Sequence, residues 1–257
     1  MRRLVLIGAM VSMAMWAGGP ANAVTFSDGG TALQTLLDTI TLPNPGGPSN
    51  VDVNADQISD MGDSYWALAA TGGSVSTMVL EIASPGTATF GVFNGEDVVQ
   101  LFGPASTPGS QVMFSLLENG DGTYSVEVNA SDTGIDFDSA EFGYWMDATS
   151  TGGGLYYSDT SLNSDGMDHM AAYQGQGDTV KLPTRPAGTW TPNDFVLAWE
   201  DALYLGLYDE YQTYGWDAEY TDFVVMVESV EPLPEPSTLA LLGLGLVGLM
   251  IRRSRRP

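Results

Sequence analysis

The chain of 257 residues has no cysteine and very few basic residues. Without cysteine no disulfide framework can form, so stability must come from a hydrophobic core or a bound ion. We call residues 24–233 the body. The body contains all but one of the 32 acidic residues, and its only basic residues are Lys181 and Arg185. The body therefore carries 31 acidic against two basic groups, a net charge near −29. Such a charge repels nucleic acid and anionic lipid and favours divalent cations, or polymers bridged by them, as ligands.

Signatures of the common hydrolases are missing as well. The sequence has no Gly-x-Ser-x-Gly elbow and no His-Glu-x-x-His motif, and its one histidine, His169, has no cysteine to pair with. A lone histidine beside acidic residues usually hydrogen-bonds a neighbouring carboxylate or carbonyl. We predict a non-enzymatic protein. A secreted enzyme that acts on polysaccharide through two carboxylates is the alternative, because a glycosidase needs no more than that pair, although no spacing singles one out.

The last two dozen residues have the composition of a sorting tail. Pro234-Glu235-Pro236 precedes an uncharged run over 237–251, and four arginines follow within the last six residues. A helix over the run would be about 22 Å long, shorter than the roughly 30 Å hydrocarbon core, and the arginines would hold its end at the cytoplasmic face. The tail resembles the PEP-CTERM signal of bacterial surface and exopolysaccharide-associated proteins. That resemblance implies a transient inner-membrane anchor and processing by exosortase, which leaves the protein at the cell surface or outside the cell.

The N-terminus predicts export too. Arg2 and Arg3 precede an apolar stretch over residues 4–16, and Ala21-Asn22-Ala23 offers the small-x-small site of signal peptidase. We expect a signal peptide over residues 1–23 and a mature chain that begins at Val24.

Short apolar or alternating runs, separated by Gly, Pro, Asn and Asp, recur through the body. This pattern predicts an all-β domain over residues 24–231, an antiparallel sandwich or jelly roll. One helix is expected over 30–40, with Asp28 as its cap, packed against a sheet edge. A proline-rich spacer over 232–234 should join the domain to the tail, which we take as 232–257. The predicted strands are 65–70, 76–82, 88–93, 98–102, 111–117, 123–128, 142–146, 155–157, 170–173, 195–200 and 223–230.

Two acidic blocks flank neighbouring predicted strands. One, Glu200 and Asp201, follows a strand, and the other, with Asp217, Glu219 and Asp222, precedes the next. With the upstream segment 163–169, they resemble a widespread bacterial extracellular domain of unassigned function, which has an acidic pair and a later Asp-x-Asp-Tyr-Asn-Asp block. The resemblance implies a calcium-associated sandwich with these five acids as counterparts. The chain departs from the pattern at Glu219 and at Thr221, where the family has Asp and Asn.

Electrostatic repulsion between the acidic residues also favours a bound cation. Carboxylates that converge from two strand ends repel by about 4 kcal/mol per pair at an effective dielectric constant near 20. Oxygen donors without thiol point to Ca²⁺ before Zn²⁺. Alternatively, these acids form a solvated rim and never meet. The loop that starts at Ser161 resembles an EF-hand but has Ala172 at position 12, so we treat it as a turn from which Asp165 or Asp168 could still reach a cation.

Aromatic residues crowd the loop between the two acidic blocks. Exposed aromatic rings commonly stack on sugar faces, so this loop is a candidate glycan-contact surface, and a carbohydrate-binding module is a third interpretation of the chain. The leading prediction is a calcium-stabilised surface or extracellular-matrix protein associated with exopolysaccharide. The candidate contact residues are Tyr208, Tyr211, Tyr214 and Trp216.

Overall fold

The computed structural model describes residues 24–43, 48–69, 74–83, 88–202 and 218–233. The predicted signal peptide and the sorting tail beyond Leu233 lie outside these residues. Within them the chain forms two α-helices and fifteen strands. These are α1 (Thr31–Ile40), α2 (Asp60–Asp63), β1 (Tyr65–Leu68), β2 (Ser74–Ala83), β3 (Thr89–Asn94), β4 (Asp97–Phe102), β5 (Gln111–Glu118), β6 (Tyr124–Val128), β7 (Ser131–Phe137), β8 (Gly143–Asp147), β9 (Leu155–Tyr157), β10 (Met170–Gln174), β11 (Thr179–Val180), β12 (Gly188–Thr189), β13 (Asp194–Trp199), β14 (Phe223–Glu228) and β15 (Val230–Leu233).

Two antiparallel sheets form a sandwich, which confirms the predicted all-β class. The larger sheet has the strand order β10-β13-β14-β2-β5-β6-β7, and the smaller has the order β4-β3-β8-β9. Aromatic rings from both sheets fill the core between them. Phe90 of the small sheet lies 5.7 Å from Tyr144, 5.9 Å from Trp199 and 5.2 Å from Phe223, measured between ring centroids.

Strands β13 and β14 are buried on both faces. In β13, Phe195, Leu197 and Trp199 face the core between the sheets, and Val196 and Ala198 face a second core on the outer side. Since successive side chains of a strand point to opposite faces, a strand covered on both sides needs a continuous apolar run, which β13 has. This pair of central strands fixes the positions of the acidic residues at its end.

Helix α1 covers the outer face of the large sheet. Leu33, Leu37 and Ile40 are buried there in the second core. The N-cap position is Gly30 rather than the predicted Asp28, but the Asp28 carboxylate accepts hydrogen bonds from the backbone N–H groups of Gly30 and Ala32, both 2.7 Å long. The expected packing against a sheet edge is wrong, because the apolar stripe of α1 is matched by the outward-facing apolar residues of β10, β13 and β14.

Strand β15 continues the folded body into the segment expected to be a spacer. It pairs with β1, with Leu233 opposite Tyr65 and Pro232 opposite Trp66. Trp66 exchanges backbone hydrogen bonds of 2.7 and 3.0 Å with Phe142 on its other side. Because alternate residues of a strand bond to opposite neighbours, the position across from Trp66 needs no N–H donor, and a proline fits there. Pro232 and Leu233 therefore belong to a strand.

The other predicted strands are present, with ends shifted by a few residues, and β7, β11 and β12 were missed. The β5–β6 hairpin turns over residues 119–122, and Gly122 has a φ of 94°, a conformation that glycine adopts without steric strain. In β7 the first four residues are exposed, so no apolar alternation marked this edge strand.

The close approach of β3, β4 and β8 generates a test of the fold. At Gly91 of β3 an added Cβ would overlap the carbonyl oxygen of Val99 and lie 2.7 Å from the indole nitrogen of Trp145. We expect Gly91→Ala to lower the free energy of unfolding by about 1–3 kcal/mol, because backbone atoms have to move. The measurement is denaturant unfolding of the body. Gly120→Ala is the control, since no atom lies within 4 Å of its Cβ position, and equal losses in both variants would contradict the packing of these strands.

Candidate functional site

Three carboxylates meet at one end of the central strand pair. Glu200, Asp201 and Asp222 each offer an oxygen, and these oxygens lie within 4.8 Å of one another. The β13–β14 register produces this arrangement, because Trp199 pairs with Phe223 and the acids stand just beyond this pair. The Glu200 side chain is fully buried, while Asp201 and Asp222 are partly buried.

The spacing of these oxygens is compatible with one calcium ion. Calcium–oxygen bonds are about 2.3–2.6 Å long, so two ligands of the same ion can stand up to about 5 Å apart. Backbone donors already orient two of the carboxylates: Asp201 N–H donates to Asp222 Oδ2 at 2.9 Å, and Ala202 N–H donates to Glu200 Oε1 at 3.1 Å. A carboxylate oxygen has lone pairs for more than one partner, so these bonds leave coordination open.

The segment before β14 is held in an unusual backbone conformation. Ala218 and Tyr220 have φ angles of 47° and 53°, in the left-handed region that side chains other than glycine rarely adopt. The Tyr220 hydroxyl donates to the carbonyl oxygen of Asp168 at 2.6 Å, and its ring packs edge-on against Phe26. Burial raises the pKa of Tyr220. The two contacts of its side chain hold the turn that carries Asp222.

His169 joins the loop over 163–169 to the acidic site. Its Nδ1 lies 3.0 Å from the carbonyl oxygen of Glu200, and its Nε2 lies 3.0 Å from Asp165 Oδ2. The expectation that the lone imidazole bonds a neighbouring carbonyl and carboxylate is confirmed. Burial lowers the pKa of His169, against the opposing effect of these two contacts. Because a carbonyl only accepts, Nδ1 carries a proton, and the contact to Asp165 is a hydrogen bond when a second proton lies between the two groups.

Tyr156 of β9 is a further member of this group. Its ring stacks on the His169 imidazole, with centroids 3.5 Å apart and planes at 13°. Its hydroxyl is buried and has no hydrogen-bond partner among the described residues. Burial raises the pKa of Tyr156, and the charges of Asp165, Asp201 and Glu200 raise it further. A buried donor without a partner therefore lies within the field of the carboxylates.

Two glycines let the loop after β8 approach Asp201. Gly154 N–H donates to the Asp201 carbonyl oxygen at 3.3 Å. A Cβ at Gly153 would overlap that same oxygen, and one at Gly154 would overlap the Tyr156 ring. Only residues without a side chain fit between β9 and the acidic pair, so this loop forms one wall of the site.

In the part of the chain that the structure describes, Arg185 is the one arginine, and it lies away from the acidic site. Desolvation and the charge of Asp194 raise the pKa of Glu228, and the Arg185 guanidinium opposes the rise, which places Arg185 near the far end of β14. Glu228 is five residues from Phe223, or about 17 Å along the strand. The Lys181 backbone bonds to the end of α1, where its N–H donates to the Ile40 carbonyl oxygen at 2.7 Å.

The structure brings together three of the five predicted metal-binding residues. Glu219 is outside this group, and its carboxylate accepts from the Thr221 hydroxyl at 2.8 Å instead. Asp217 and the predicted glycan-contact residues Tyr208, Tyr211, Tyr214 and Trp216 lie outside the described residues. Sequence analysis missed Tyr156 and Gly153, and the Gly152-Gly153-Gly154 run just before β9 was the signal that could have indicated a close approach.

Comparison of the chain with known protein families gives a match in the C-terminal tail. Residues 232–256 match the family model of the PEP-CTERM protein-sorting motif. The chain carries an exosortase sorting signal. It is therefore exported, anchored transiently in the membrane and processed to a surface protein. Pro234, Glu235 and Pro236 lie within the match but outside the described residues.

No curated protein and no solved structure matches the chain. The resemblance of the two acidic blocks and the segment 163–169 to a calcium-associated extracellular domain receives no support from the matches. In the part of the chain that the structure describes, no helix has the length and apolar character needed to cross a membrane. The hydrophobic run over 237–251 is outside that part.

The contacts of His169 generate a stability test. His169→Phe preserves a ring beside Tyr156 but removes the hydrogen bonds to Asp165 and to the Glu200 carbonyl. We expect a loss of about 1–3 kcal/mol in the free energy of unfolding, because the buried acceptors lose a partner. Tyr156→Phe is the matched variant. It removes a hydroxyl that has no hydrogen-bond partner among the described residues, so it should be neutral or slightly stabilising. A larger loss in Tyr156→Phe than in His169→Phe would refute this assignment.

Proposed function

We propose that the processed body is a non-enzymatic surface or extracellular-matrix protein that binds Ca²⁺ at Glu200, Asp201 and Asp222. The observation that carries the proposal is the convergence of these three carboxylates at the end of β13 and β14, with one oxygen from each within 4.8 Å of the others. Association with exopolysaccharide is the second part of the proposal, and it is supported by the sorting signal and by the charge of the body.

Electrostatic repulsion supports a bound cation. Carboxylates about 4 Å apart repel by about 4 kcal/mol per pair at an effective dielectric constant near 20. That is a large share of the 5–15 kcal/mol by which domains are usually stable. The body has only Lys181 and Arg185 to offset its 31 acidic residues, and Arg185 acts at the other end of β14. A divalent ion from solution would relieve this repulsion at all three carboxylates at once.

The donor set favours calcium over zinc. All three groups are carboxylates, which suit hard cations, and the chain has no thiol. The nearest imidazole, His169, has both nitrogens within 3.0 Å of the Glu200 carbonyl and the Asp165 carboxylate. An imidazole held in this way is a poor candidate for direct ligation. It orients the segment that carries Glu200 instead.

The proposed role in a matrix rests on charge. A body with a net charge near −29 repels acidic polysaccharide in the absence of a bridging ion. Among the described residues no aromatic ring is strongly exposed, and the exposed large apolar side chains are Val98, Leu155 and Leu162. Stacking on sugar rings therefore depends on Tyr208, Tyr211, Tyr214 and Trp216, outside those residues. Cation bridging can be tested without them.

Calcium binding should raise the melting temperature of the body. The protein to measure spans Val24 to Leu233 and so contains every described residue. At a calcium concentration a hundredfold above the dissociation constant, the free energy of unfolding should increase by about 2.7 kcal/mol. For a domain of this size the midpoint should rise by about 5–10 °C in calorimetry.

Asp222→Asn should remove most of that rise. The amide oxygen can still accept from Asp201 N–H, so the fold is kept while a ligand charge is lost. Glu96→Gln changes the same charge in the exposed turn between β3 and β4 and should leave the calcium response intact. If the unsubstituted body melts at one temperature with calcium and with chelator, the metal part of the proposal is wrong.

Polymer binding should depend on calcium. We expect the body to co-sediment with an acidic polysaccharide about tenfold more strongly in calcium than in chelator, equivalent to about 1.4 kcal/mol. Asp222→Asn should reduce this gain, and Glu96→Gln should not. Equal retention in calcium and in chelator would argue against cation bridging and leave the calcium site itself untouched.

A further inference from the structure

The sorting signal and the folded body share residues. The matched motif begins at residue 232, whereas β15 extends to Leu233. Pro232 and Leu233 are therefore part of a paired strand and of the sorting signal at once. Pro234, the first residue of the Pro-Glu-Pro motif, follows Leu233 directly, and one residue spans at most about 3.6 Å.

Strand β15 is anchored at its start and loosely held at its end. Val230 is 1% exposed and belongs to the core between the sheets. Just before it, the Ser229 carbonyl oxygen accepts from Ala69 N–H at 2.8 Å. Beyond it, Glu231 is exposed, and Pro232 and Leu233 are partly exposed. The three residues that precede the Pro-Glu-Pro motif can thus leave β1 without exposing the anchor.

A processing enzyme has to bind the chain around the bond it acts on. Enzymes that bind peptides in an extended conformation use the backbone groups of the peptide, as an added strand does. In the folded body, the backbone of residues 231–233 faces β1. An enzyme that bound these residues as an extended strand would have to displace β1 from them.

We propose that the folded body competes with the sorting enzyme for residues 231–233, so that processing requires this segment to separate from β1 while Val230 keeps the body closed. Pro232 makes the separation easy, because it has no N–H and stands opposite Trp66, whose backbone bonds go to Phe142. The pairs Ala67 with Glu231 and Tyr65 with Leu233 join the end of the strand to β1, and α2 lies beside β15. Strand ends of this kind open locally at low free energy.

The separation also moves the acidic body away from the membrane. Three extended residues add about 10 Å to the tether. At physiological ionic strength the Debye length is about 8 Å, so this step removes much of the repulsion between the body and anionic lipid. Repulsion between the body and the membrane and binding by the enzyme would thus both favour the state in which residues 231–233 have separated from β1.

A cross-strand disulfide tests the competition. Ala67 stands opposite Glu231 in a hydrogen-bonded pair, whose Cα atoms are typically about 5.5 Å apart, a separation that suits a disulfide. The natural chain has no cysteine, so an Ala67→Cys, Glu231→Cys double variant forms one defined bond. In cells that carry the sorting enzyme, we expect the oxidised full-length variant to be processed about tenfold more slowly or worse. Reductant should restore the rate, and the Ala67→Cys single variant should be processed normally.

A linker provides the opposite test. A flexible Gly-Ser insertion between Leu233 and Pro234 should speed processing, since the enzyme then reaches the motif without opening β15. The same insertion between Gly120 and Asp121, in the β5–β6 turn, is the control and should not change the rate. If the double cysteine variant does not fold, the linker variant alone tests whether opening of β15 limits processing. Unchanged processing of both the oxidised chain and the linker chain would overturn the proposal, because the enzyme would then act before the body folds.

Discussion

The pairing of β13 with β14 is the constraint on which the acidic site depends. These strands are buried on both faces, between the small sheet on one side and α1 on the other. A slip of one residue would turn Trp199 and Phe223 out of the core between the sheets and point Val196 and Val224 into it, so the register is strongly specified. Glu200, Asp201 and Asp222 meet because the apolar residues beside them permit one alignment.

A buried scaffold of this kind brings like charges together that would otherwise separate. Hydrophobic burial along β13 and β14 opposes the repulsion of the three carboxylates, and the loop contacts of Tyr220 and His169 close the site from two further directions. The left-handed backbone at Ala218 and Tyr220 shows that the turn is held by its surroundings. The Arg185 guanidinium lowers the pKa of Glu228, at the other end of β14 from the three carboxylates.

The parts of the structure that could be predicted are those with a local signal. The runs of β5 and β13 and the periodicity of α1 each indicate their element directly, and the acidic pair at the end of one strand next to Asp222 at the start of another indicated the site. Edge strand β7 has an exposed, polar start that no apolar pattern marks. The stacking of Tyr156 on His169 and the approach of Gly153 to Asp201 join segments distant in sequence, and they follow from packing alone. The sequence predicts a spacer at Pro232, because a proline seldom lies within a strand. The proline is tolerated in β15 because Trp66, which lies opposite, forms its backbone hydrogen bonds with Phe142, and this contact between distant residues has no local signal in the sequence.

The acidic site and the sorting signal lie at opposite ends of one stretch of chain. Strand β14 runs from the site to Glu228, and Ser229, with a φ of 57°, turns the chain into β15 and the tail. Because β13 and β2 hold β14 on both sides, the proposed opening of β15 would stop at the buried Val230 and would not displace Asp222. The cation that we propose would therefore stabilise the centre of the large sheet without holding the last three residues of the body. Stability of the processed protein and access to its sorting signal are thus set by different residues of the same fold.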